Sequence, residues 1–99
     1  MGPTGSLQEL IAVLEDARTL LALPDNEFLW SPWENAAEAL QAIDTLLREL
    51  KQGVLPEKAV LEILFAPTGP IQEVSVSSGW DEEFLALAQR FDAAIDAVG

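Results

Sequence analysis

Leu7, Leu10, Ile11, Leu14, Ala17 and Leu21 return at three- and four-residue steps, with Gln8, Glu15 and Asp16 on the opposite side. Steps of that size keep one face of a 3.6-residue turn apolar, so the spacing predicts an amphipathic helix. Ser6-Leu7-Gln8-Glu9 has the form of a capping box, in which the serine hydroxyl accepts from the Glu9 amide and the Glu9 carboxylate reaches back. The helix is therefore expected to begin there. Leu20 and Leu23 widen its stripe, and Pro24 stops it.

A turn at Asp25-Asn26 leads into three large apolar residues, Phe28, Leu29 and Trp30. Ser31-Pro32-Trp33-Glu34 then predicts a second helix, with Ser31 as N-cap and Pro32 at the first position, where its missing donor is harmless. That helix runs to about Gln52 with Trp33, Ala36, Ala37, Leu40, Ile43, Leu47 and Leu50 inward. Asp44 and Arg48 are spaced to pair along it, and Gly53 ends it in a left-handed cap. A short third helix, about Pro56 to Phe65, carries Val60, Leu61, Ile63, Leu64 and Phe65. It is apolar nearly all round and so is expected to be the most buried.

Helical periodicity then stops. Ala66-Pro67-Thr68-Gly69 fits a type I turn, and Val74-Ser75-Val76-Ser77 alternates like a strand that has no partner. Residues 66–79 are thus expected to form a long extended loop lying across the helices. Ser78-Gly79-Trp80-Asp81 is a weaker capping box opening a last helix, Trp80 to about Val98. This helix turns Trp80, Phe84, Leu87, Phe91, Ile95 and Val98 inward. The expected fold is all-α: residues 1–5 a flexible leader, residues 6–99 one four-helix bundle-like domain with the extended loop between helices 3 and 4.

Composition narrows the function more than the fold. Ninety-nine residues, 49% of them hydrophobic, suit one core. No apolar run is long enough to cross a bilayer, and no basic flank marks a signal peptide. The chain has no cysteine, histidine or tyrosine, which removes thiolate chemistry, histidine bases and nearly all zinc sites. Seventeen acids against five bases give a net charge of −12. Such a field repels phosphate backbones and anionic membranes and favours basic partners. A cytoplasmic chain that binds neither nucleic acid nor membrane is the expectation.

The carboxylates do not form a chemical site in the sequence. Glu34 with Glu38, and Asp92 with Asp96, stand four apart, but they lie on polar faces without the histidine that bundle metal sites use. Acids already occupy the helix starts that an anion would need. No catalytic residue, metal ligand or cofactor is assigned, and no enzyme is expected. What does stand out is one stripe of the last helix, where Glu82, Gln89, Asp92 and Asp96 share a side with Leu85. Two of its acids oppose the dipole at the helix end. These five residues, with Thr68 and Gln72 in the loop, are the candidate partner-binding set. Phe28 and Trp30 are candidate apolar anchors unless they plug the end of the bundle, which is the favoured role. Trp33 and Trp80 are assigned to the core.

The segment Leu64-Phe65-Ala66-Pro67-Thr68-Gly69-Pro70-Ile71-Gln72-Glu73, with Ser78-Gly79-Trp80 and Glu83-Phe84-Leu85, resembles a small uncharacterised bacterial family. The likeness extends back through Trp33-Glu34-Asn35-Ala36, and it implies no activity that carries over. In size, acidity and helical content the chain is loosely similar to bacterial immunity proteins, which neutralise toxins by binding them. The function expected is non-catalytic binding of a basic protein partner, immunity-like or regulatory. The alternatives are a homo-oligomeric structural protein, or a small module that binds a ligand through its carboxylates.

Overall fold

The computed structural model describes residues 3–29 and 31–98, with side chains from 7 to 97. Its helices are α1 (Pro3–Leu21), α2 (Ala36–Lys51), α3 (Lys58–Leu64), α4 (Pro70–Ser78) and α5 (Asp81–Val98). Leu10, Val13, Leu14, Ala17 and Leu21 are all fully buried, so the apolar stripe of α1 is the surface on which the domain assembles. α1 packs most extensively against α5 and next against α2, and α4 lies on α5. The Cα radius of gyration, 12.8 Å, matches the roughly 13 Å of a single 100-residue domain.

All-α is the fold, but five helices are described where four were expected. The segment expected to be extended contains α4. Gly69 stands at its head in an extended conformation, Pro70 follows where no donor is lost, and Glu73 sits in the first turn. The Val74-Ser75-Val76-Ser77 alternation does not persist in space. Ile71, Val74 and Ser75 turn inward at helical spacing while Val76 and Ser77 face out. Ser75 tolerates burial because its hydroxyl donates to the Gln72 carbonyl at 2.8 Å. Gly79, at φ +85°, closes the helix. The amides of Gly79 and Trp80 both donate to the Ser75 carbonyl at 2.9 Å.

Three helix starts differ from the expected capping boxes. α1 begins at Pro3, so Ser6 lies inside it and Pro3–Gly5, expected in the leader, are helical. α2 begins at Ala36 behind Asn35, whose Oδ1 accepts from the Glu38 amide at 3.0 Å. Ser31 does not cap it, because its hydroxyl closes a local turn instead, accepting from the Trp33 amide at 2.9 Å. Asparagine is at least as good a cap as serine, and the two alanines after it are the best helix formers, so the later start wins. Ser78 does not cap α5 either. Its hydroxyl accepts from the Glu27 amide at 2.9 Å and fastens the α1–α2 loop to the end of α4.

α3 is the largest departure in packing. Leu61, Leu64 and Phe65 are buried, but Val60 is 48% and Ile63 65% exposed. A seven-residue helix against one neighbouring surface can bury only one face, whatever its composition. Gly69 makes its exit possible: a Cβ there would collide with the backbone carbonyl oxygen of Ile63. The α3–α4 corner is therefore tighter than any side chain allows.

Candidate functional site

That corner brings the end of α3 over the middle of α5. The seam holds an open groove of about 370 Å³. Its floor is aromatic. The Phe65 ring stacks on Phe91 with centroids 4.5 Å apart and on Phe84 at 6.5 Å, within 14° of parallel in both cases. All three rings are buried, so packing holds the floor rigid. Ala66, Pro67 and Ala88 supply small apolar walls, and Leu85, 56% exposed, forms a lip. The polar lining is sparse: Glu62 from α3, Gln72 from α4 and Asp92 from α5.

The structure brings some of the candidate set together at this groove. Leu85, Asp92 and Gln72 line it. Glu82, Gln89 and Asp96 are exposed and continue the same stripe of α5, which extends about 21 Å at 1.5 Å per residue from Glu82 to Asp96. Thr68 is exposed on the turn, outside the lining. Phe28 is half-buried against the core and borders a second, more polar hollow of about 480 Å³ beside the α1–α2 loop. Trp30, the other candidate anchor, lies outside the described residues. The segment before Trp80 is helical and leaves Leu85 exposed. Trp80 is in the core, its indole N–H donating to Asn26 Oδ1 at 2.8 Å, whereas Trp33 is half-buried. Sequence reasoning missed Glu62, Phe65, Pro67 and Ala88. The available signal was aromatic: Phe65, Phe84 and Phe91 are three of the four phenylalanines in the chain.

Three of the basic side chains form ion pairs that join helices. Arg18 pairs with Asp44 through two hydrogen bonds, 2.6 and 3.2 Å, and joins α1 to α2. Lys51 reaches Glu15 at 3.1 Å across the same junction. Arg90 joins α5 to α1, 2.7 Å from Asp16 and 3.2 Å from Glu9. These bonds raise the Arg18 and Arg90 guanidinium pKa values further, through Asp44 and chiefly through Asp16. The hydrogen bond from Arg18 holds the Asp44 carboxyl below the usual carboxylate range, and Arg48, the partner expected within α2, contributes only its field. Three of the five bases thus tie α1 to its neighbours. The groove is lined by acids and no base.

Among the described residues, no carboxylate is buried, and no three potential ligands cluster where a metal ion could be held. No described helix is long and apolar enough to cross a membrane. No protein-family model matches the chain, and neither a curated protein nor a solved structure matches it.

Proposed function

We propose that this chain is a non-catalytic, cytoplasmic binding domain that docks a basic protein partner, in a regulatory or immunity-like role. The observation that carries the reading is the groove: a rigid apolar floor with an acidic rim, while most of the basic side chains are engaged in ion pairs around α1. Apolar floors supply affinity, and an acidic rim supplies encounter rate and partner choice. Most of the described acids are exposed, which favours binding over catalysis, since a general acid or base needs a recess that tunes it. The test is affinity capture with the full chain from its native cells at low and high salt. A basic protein retained at low salt and released as salt rises is the expected result. A partner whose retention ignores salt, or no partner under either condition, would sink the reading.

Exposed Val60 and Ile63 on α3 favour a second reading, a homo-oligomer. Sedimentation separates the two readings: a dimer that survives high salt supports self-association, and a monomer supports a foreign partner.

A further inference from the structure

The groove constrains what a partner must present, and the inference drawn from it rests on the protein-binding reading above. Its volume, about 370 Å³, lies at the low end of small-molecule pockets, and it is open along one side, so a free metabolite would stay largely wet. The lining offers three parallel rings and small apolar walls but few polar atoms, which suits insertion of one large apolar side chain. The two lining acids come from different helices, Glu62 from α3 and Asp92 from α5. An inserted side chain would therefore meet negative charge from both. Asp92 also opens onto the α5 stripe, where Glu82 and Asp96 continue the sign. A second copy of the chain is a poor occupant. It brings its own net charge of −12, and three of its five bases are already committed to ion pairs.

We infer that the groove takes a short cationic segment of the partner protein, seating one aromatic or branched aliphatic side chain over Phe65, Phe84 and Phe91, with lysine or arginine near it facing Glu62 and Asp92. Gln72, which has both a donor and an acceptor, stands beside the anchor to receive the segment's backbone. Selectivity follows from repulsion as much as attraction. A segment with the same anchor flanked by acids would be driven off by the rim and by the stripe beyond it.

Three labelled peptides test this with the full chain: one with a central phenylalanine between lysines and arginines, one with that phenylalanine replaced by serine, and one with its basic residues replaced by glutamate. Fluorescence anisotropy should show saturable binding of the first, weakening as salt rises. The other two should lose about tenfold or more in affinity, the scale of a lost hot-spot anchor. Amide shifts of the isotope-labelled chain should move at Phe65, Gln72, Leu85 and Asp92. The double variant Glu62→Gln with Asp92→Asn, with its melting temperature checked to establish folding, should bind the first peptide more weakly and with a flatter salt dependence. No saturable binding, equal binding of the acidic peptide, or shifts centred on the α1–α2 loop would each overturn the assignment. A native partner that binds with salt sensitivity yet ignores both the double variant and Leu85→Ser would overturn the groove and leave the broader reading standing. Failure to capture any partner brings down the broader reading itself.

Discussion

α1 and α3 carry the same kind of sequence and meet opposite fates. Each is rich in leucine, isoleucine and valine. α1 sinks five residues completely and is bound along both flanks by ion pairs to α2 and α5. α3 leaves Val60 and Ile63 in solvent and makes no ion pair among the described residues. Apolar content therefore does not decide burial; the number of neighbouring surfaces does. α1 has two large neighbours, while α3 is hinged by a tight corner onto one side of the structure. What α3 cannot bury, Val60 and Ile63, stays in solvent outside the lining of the groove.

Substitutions should widen that contrast. Leu14→Ala in α1 removes a fully buried side chain and should destabilise by about 2–5 kcal/mol in urea unfolding. Loss of less than about 1 kcal/mol would mean α1 is not the centre of the core. Gly69→Ala should come next, at about 1–3 kcal/mol, because the new Cβ meets the Ile63, Ala66 and Leu64 carbonyl oxygens and backbone cannot move aside cheaply. Wild-type stability in this variant would show that the α3–α4 corner is looser than described. Ile63→Ala should change stability by no more than about 0.5 kcal/mol, as for other exposed sites. A cost like that of Leu14 would abolish the distinction between the two helices.

The smallest effect belongs to Asp44 and depends on pH. Arg18 holds its carboxyl pKa low in the folded chain, so the unfolded chain takes up that proton first as pH falls. The contribution is fully present above the unfolded pKa of about 3.9 and is lost as pH drops through the lower folded value. Because the pair is half-exposed, Asp44→Asn should lower the neutral-pH melting temperature only slightly. The gap from the parent chain should close below about pH 4. A gap unchanged at low pH would show that the carboxylate's charge is not what matters.

Much of this architecture was legible in the chain, and the failures have physical causes. The stripes of α1, α2 and α5 were readable because each is long enough for helical period to exceed local noise. α4 was not, because four residues of Val-Ser alternation fit a strand and a helix equally well. The decision lay in flanking signals, Gly69-Pro70 before and Gly79 after, but Gly69 also fits a type I turn and Gly79 also fits the capping box of the last helix. Ser31 and Asn35 are both competent caps, and only the backbone shows which one is used. The outward stripe of α5 was legible from 100° steps alone, and Leu85 and Asp92 fell on the groove. Glu62 and Phe65 were not readable as site residues, because a periodic pattern places residues on a face and says nothing of which other helix crosses it. That crossing depends on the α3–α4 corner, and so on recognising α4.

The dependence of α1 on α5 also has a consequence during synthesis. Asp81 follows Leu21 by 60 residues, so at roughly 5–20 residues per second the ribosome leaves α1 without its main partner for roughly 3–12 s. Until α2 is complete at Lys51, halfway through that interval, Leu10, Val13 and Leu14 have no finished helix to pack on, and from there to Asp81 α2 is their chief neighbour. Those residues reach full burial only once α5 has emerged and packed against α1.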